Sequence, residues 1–197
     1  MAVPPRKKKQ LSRPPIELHD AQSIKALAHP ARLAVIDELF AGRELTATEC
    51  AAIAGLSPSA MSYHLRALEK AGIVERAEAS GDGRERPWRA AGSRLTVTSD
   101  QSLVAFAAGA VVGRTVADRL NAGFARWIER TPTEDPAWRA VGGISSALVW
   151  LTHDDVAEVE KTISDMIDKY RGRSASDHPD GARRVRIGLL VYPNDEI

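Results

Sequence analysis

The sequence predicts an α+β fold, mainly helical, on three observations. Residues 46–54 and 57–71 carry helical spacing on either side of a turn of about three residues centred on Gly55 and Leu56. After Gly72 the pattern becomes alternating, IVERAEA, then a polar glycine-broken turn, SGDGRE, then a second short run, RPWRA. Beyond residue 96, a long helix rich in small residues precedes a strand, helix, strand order. A chain of 197 residues suits two small domains, because compact domains most often hold roughly 100 to 150 residues.

Composition narrows the function classes. The apolar share of 44% is that of an ordinary packed chain, and a net charge of +1 points to no partner by itself. The charge is unevenly spread, however. Residues 1–95 hold 15 Lys/Arg against 11 Asp/Glu, or +4, whereas residues 96–197 hold 12 against 15, or −3. The first part is the better candidate for binding a polyanion. A single cysteine, Cys50, excludes an intrachain disulfide and reads as a small buried hydrophobe. No apolar run follows the basic opening MAVPPRKKKQLSRPP, as a secretory signal requires. The longest apolar stretch, LVAFAAGAVVG, is about half of the roughly 20 residues that span a membrane. A cytoplasmic protein with no membrane partner is expected.

Taken in order, residues 1–16 combine four prolines with Arg6, Lys7, Lys8, Lys9 and Arg13, and predict a flexible basic arm. Ile24, Leu27 and Ala28 space a short helix. Pro30 opens the next at its first turn, where a missing N–H is tolerated, and Leu33, Ile36, Leu39 and Phe40 carry it to Gly42. Thr46 stands three residues before Glu49, the capping-box spacing, and Ser57 with Pro58 forms an N-cap and first-turn pair. Stepping about 100° per residue from Met61 places Leu65 and Leu68 within about 40° of it. Ser59, Ser62, Tyr63, Arg66 and Lys70 cluster instead between about 100° and 200°.

One face of this helix therefore belongs to a core and the other is polar and basic. Such a helix can enter the major groove of double-stranded DNA, while cations around a neighbouring hairpin reach phosphates or the minor groove. The DNA-binding candidates are Ser57, Ser59, Ser62, Tyr63, Arg66 and Lys70 on the helix, with Arg84, Arg86 and Arg89 on the wing. In a regular strand Arg84 and Arg86 share one side and Arg89 takes the other. Pro87 suits an edge strand only, and His64, at the border of the polar face, reads as a half-buried structural histidine.

The stretch LTATECAAIAGLSPSAMSYHLRALEKAGIVERAEASGDGRERPWRA resembles the winged helix-turn-helix of ArsR-type bacterial transcriptional repressors, and ALAHPARLAVIDEL resembles that family's opening helices. The likeness spans about Ile24 to Ala91. It implies a homodimer that binds a palindromic operator and releases it when an effector arrives. Metal-sensing members carry a Cys-x-Cys pair where this sequence has Thr46 and Thr48, and their second metal site needs histidine on a helix that here, over residues 100–130, has none. The resemblance thus implies a regulator that is not a metal sensor. Residues 17–95 are assigned to the winged domain and 96–197 to a dimerisation helix with a C-terminal accessory or effector lobe.

In that second part, residues 101–130 suit either a dimer helix or an internal core helix. ISSALVWL reads as a strand, and Thr152 with Asp155 caps a helix that faces inward with Val156, Val159, Ile163, Ile167 and Tyr170. VRIGLLVYP reads as a second strand, stopped by Pro193. The two strands could pair and help form an apolar pocket for a small-molecule effector, with Trp138 or Trp150 in its wall; either ring equally suits a plain core. The acids of THDD, with His178 and Asp180, invite a hydrolase reading, but acids at a helix N-terminus answer the helix dipole. No phosphate loop, nucleophile elbow or regular ligand spacing is present, so neither catalysis nor a metal or other cofactor is expected. The alternative to a DNA reader is a winged-helix protein-interaction adaptor.

Overall fold

A computed structural model describes residues 13–78, 86–98, 102–170, 173 and 178–194. The order is β1 (Ile16–Leu18), α1 (Ala21–Lys25), α2 (Pro30–Phe40), α3 (Ala47–Ala54), α4 (Pro58–Lys70), β2 (Val74–Arg76), β3 (Trp88–Ala90) and β4 (Leu95–Val97). Then come α5 (Leu103–Arg130), a 3-10 turn (Thr131–Thr133), α6 (Pro136–Val141) and α7 (His153–Asp168). The chain divides into two compact units, Met1–Ala117 and Asp118–Ile197. That division lies inside α5 and not near residue 95, because Ala105, Ala108 and Val112 join the core of the first unit.

Local chemistry sets the helix ends as the spacing predicts. Asp20 caps α1, its carboxylate accepting from the N–H groups of Gln22 and Ser23. His29 caps α2, with Nδ1 accepting from the Ala31 N–H at 3.2 Å. The Thr46 hydroxyl accepts from the Glu49 N–H at 3.2 Å while Glu49 Oε2 accepts from the Thr46 N–H at 2.8 Å, which completes the capping box of α3. Gly55 ends α3 in the left-handed region, with φ of 65°, a conformation that glycine reaches without a Cβ penalty. Two residues later the Ser57 hydroxyl accepts from the Ala60 N–H and α4 begins at Pro58.

The first unit closes around one core. Ile24, Val35, Leu39, Leu45, Met61, Leu65, Leu68, Ile73 and Trp88 are all fully buried. β2 and β3 pair antiparallel with Glu75 opposite Arg89 and Arg76 opposite Trp88, as the hairpin pattern predicts. A further bridge between Leu45 and Trp88 ties this hairpin to the loop before α3. β1 pairs parallel with β4, Ile16 opposite Leu95 and Leu18 opposite Val97, a pairing the sequence pattern does not announce. Arg13, inside the segment 1–16 assigned to the arm, is anchored: it donates to the Ala90 carbonyl at 2.6 Å and pairs with Glu75 at 3.0 Å.

The second unit departs from its predicted form in one respect. α7 is present with its complete Thr152–Asp155 capping box, but neither ISSALVWL nor VRIGLLVYP forms a strand. A strand needs a partner ladder for its N–H and C=O groups, and no ladder joins these runs to each other or to another described segment. Their apolar side chains stand in the open: Trp150 is fully exposed, and Leu148, Leu189 and Leu190 are exposed as well. Among the described residues Trp150 thus lines no pocket, and Trp138 instead stacks under the Arg183 guanidinium at 5.0 Å.

Candidate nucleic-acid interface

α4 is fixed from beneath by its apolar face. Met61, Leu65 and Leu68, spaced four and three residues apart, are all fully buried, and α3 packs against the same helix. The register of α4 is therefore set by burial, and its other face is turned outward. Ser57, Ser59, Tyr63, Arg66 and Lys70 are exposed, as predicted, and Ser62 is half-buried. The Ser62 hydroxyl donates back to the Pro58 carbonyl at 2.8 Å, which leaves its oxygen to accept. Tyr63 holds its ring edge-on to His64, with centroids 5.7 Å apart, and keeps two-thirds of its surface in solvent.

A second device holds α4 from the side. The Arg32 Nε donates to His64 Nδ1 at 3.1 Å and its Nη1 donates to the Ala26 carbonyl at 3.0 Å, so one guanidinium on α2 joins the end of α1 to α4. His29 lies against His64 with ring centroids 4.4 Å apart. Partial burial, reinforced by the neighbouring His29 and Arg32 charges, holds the His64 pKa below the usual histidine range. A neutral His64 can accept from Arg32; a protonated one cannot. His64 is the half-buried structural residue its position predicts, but Arg32 as its partner has no local sequence signal.

The wing residues divide. Arg84 lies outside the described residues. Arg86 is exposed, and its carbonyl accepts from Arg76 Nη1 at 2.8 Å. Arg76, not among the predicted contacts, lies 3.7 Å over the Trp88 ring and is exposed, so a cation–π contact presents its charge at the hairpin surface. The β2–β3 register carries the signal, since Arg76 and Trp88 are direct cross-strand partners. Arg89 behaves differently from its exposed companions. It is half-buried, its Nε donates to Glu75 at 2.8 Å, and Glu44 lies 3.9 Å from its Nη1. Its charge is balanced inside the hairpin base, where it braces β2 against β3.

Among the described residues no group of three or more His, Cys, Asp and Glu side chains could hold a metal ion, and no helix is long and apolar enough to cross a membrane.

Residues 27–77 match the family model described as a helix-turn-helix domain. No curated protein matches the chain. Among solved structures, the chain is similar to the solution structure of a homodimeric winged helix-turn-helix DNA-binding domain, Mb0332 from Mycobacterium bovis, described as a possible ArsR-family transcriptional regulator. That match has 28% identity, covers 59% of this chain and 89% of the other, and has a TM-score of 0.34. A mutant of Lactococcus lactis ZitR in apo form matches at 14% identity over 73% of this chain and 83% of the other, with a TM-score of 0.32. The matched segment begins at Leu27, spans α2, α3 and α4, and ends just past β2, so it takes in both helices of the turn and the first strand of the hairpin.

Proposed function

We propose that this protein is a sequence-specific, double-stranded-DNA-binding transcription regulator, a cytoplasmic homodimeric repressor of the ArsR type that is released by a non-metal small-molecule effector. One observation carries the reading: α4 combines a fully buried apolar face with an open face of Ser57, Ser59, Tyr63, Arg66 and Lys70. A protein that only bound other proteins through this surface would need apolar anchors there, and Tyr63 is the one large apolar side chain offered.

Each residue then has a chemical role. Ser57 and Ser59, at the N-terminus of α4, meet a phosphate where the helix dipole favours anions. Tyr63 meets a phosphate or a thymine methyl. Arg66 reads a base edge, with guanine O6 and N7 as the matching acceptors, and Ser62 accepts from a base amino group. Lys70, Arg86 and Arg76 meet backbone phosphates, and the same role is assigned to Arg84. Arg89 acts through the hairpin and not on DNA. α5 joins two copies, and a palindromic operator presents half-sites about one helical turn apart to the paired α4 helices. An effector acts by changing the spacing of those helices.

Selection of bound fragments from the host genome, followed by footprinting of the best, tests this. The expected footprint is symmetric, with two protected major-groove segments about 34 Å apart. Recovery of fragments with no shared sequence would instead leave the adaptor reading standing.

A further inference from the structure

α4 is held from two directions by forces of different kinds. Its apolar face, Met61, Leu65 and Leu68, keeps it against the core, but apolar burial is non-directional and resists rolling or sliding of a helix only weakly. The side of α4 is held by a directional contact. Arg32, half-buried on α2, donates from Nε to His64 Nδ1 at 3.1 Å and from Nη1 to the Ala26 carbonyl at 3.0 Å. The planar guanidinium fixes the angle between its two acceptors, so α4 is tied to the end of α1 in one geometry.

That tie exists in one protonation state. Arg32 has only donors, and His64 Nδ1 accepts only while it carries no proton. His29 crowds the same spot: its Nδ1 accepts from the Ala31 N–H at 3.2 Å, and its ring centroid lies 4.4 Å from that of His64. An imidazolium at His64 would lose the Arg32 bond and face a guanidinium where its donor had been.

The elements packed on α4 are α2, α3 and β2. On α2, Asp37 and Glu38 lie about 120° or more round the helix from Arg32, and Glu38 pairs with Arg43. Glu49 of α3 is turned back onto Thr46. On β2, Glu75 pairs with Arg13 and Arg89, and Arg76 lies over Trp88. On α4 itself, Arg66, Glu69 and Lys70 lie about 120° or more from His64. Burial first, and then the charges of His29 and Arg32, disfavour the imidazolium, and among the described residues no carboxylate offsets them.

We propose that His64 is a positioning residue for the DNA-reading face: its protonation frees the side of α4 and lowers the discrimination between operator and other sequences. This role rests on the DNA binding of the proposed function. Tyr63 carries the displacement to the open face, since its ring stands edge-on to His64 with centroids 5.7 Å apart. The sign distinguishes this from plain electrostatics, because one more positive charge on α4 tightens binding to every duplex alike.

Titration of the full-length protein with its selected operator and with random duplex, at fixed salt and at about pH 7.5 and about pH 5.5, brackets the histidine range and tests the role. Near-ultraviolet circular dichroism at each pH checks that the protein is folded. The ratio of the two affinities should fall by roughly tenfold on acidification, the factor that goes with one hydrogen bond from a charged donor. His64→Asn keeps an acceptor near the Nδ1 position and does not titrate, so its ratio should hold constant. His29→Asn retains a good N-cap and removes the neighbouring charge, so its ratio should still fall, but at a higher pH. A wild-type ratio that is the same at both pH values, or one that falls equally in His64→Asn, overturns the role of His64 and leaves DNA binding in place. A ratio made constant by His29→Asn moves the switch to His29 and overturns it as well. Should His64→Asn fail to fold, NMR of the wild type decides: the Arg32 Nε–H and the α4 amides should shift together with the His64 ring, and an Arg32 signal that ignores that titration overturns the role. Absence of any sequence preference already at the higher pH removes the regulator reading, and the positioning role with it.

Discussion

Two adjacent residues on α4 should respond to truncation in opposite ways. Leu65 is fully buried, so Leu65→Ala withdraws three carbons from a packed site. At about 0.8 kcal/mol per buried methylene the transfer loss is about 2.4 kcal/mol, and a residual cavity of roughly 60 Å³ adds about 1.5 kcal/mol. The expected destabilisation is about 4 kcal/mol, a large share of the stability of a small domain. Arg66, 100° further round the helix, is exposed, and Arg66→Ala should change stability by less than about 0.5 kcal/mol. Its effect belongs on DNA: loss of about 1 to 3 kcal/mol of operator affinity and relaxed choice at one base pair. Urea unfolding of both variants, beside operator titration at a temperature where both stay folded, separates the two. Equal destabilisation by the two substitutions, or a loss below about 1 kcal/mol for Leu65→Ala, would refute the assignment of faces to this helix. A loss for Arg66→Ala that is the same on operator and random DNA would reassign Arg66 to phosphate.

Three further outcomes follow from the contacts that hold α3 and α4. Arg32→Ala should cost about 2 kcal/mol in thermal or urea unfolding, since two half-buried hydrogen bonds are lost, and Arg32→Lys should recover less than half because an ammonium cannot span both acceptors. His64, whose folded pKa is depressed, should contribute stability that is complete above the unfolded-chain value of about 6.5 and is lost as pH falls below it through the folded value; unfolding midpoints of wild type and His64→Gln across that window check this, and parallel curves would contradict it. Thr46→Ala should lower stability by about 1 kcal/mol and return Glu49, held below the carboxylate range by the Thr46 N–H and hydroxyl, towards its ordinary titration, which NMR can follow.

What the sequence made legible was what short range decides. Thr46 with Glu49, Gly55, and Ser57 with Pro58 place the two helices of the turn because caps and left-handed glycines act within four residues. The period of Met61, Leu65 and Leu68 places the open face by geometry alone. Pairings between distant segments stayed hidden. The parallel β1–β4 ladder joins Ile16 to Leu95, and nothing local in IEL or LTV selects that partner. Arg32 meets His64 across 32 residues by tertiary packing. Arg89 looked like one more wing cation, yet its cross-strand position opposite Glu75 decides its fate. The two C-terminal runs have strand composition, and composition cannot supply the ladder partner that makes a strand.

The central claim is that the open face of α4 distinguishes one DNA sequence from another. Titrating the full-length protein against its selected operator and against random duplex, from low to physiological salt, tests this directly. The account predicts that both affinities fall as salt rises, by counterion release, while the operator stays at least about a thousandfold tighter at physiological salt. Affinities that fall together and differ by no more than a few-fold at every salt concentration would contradict it.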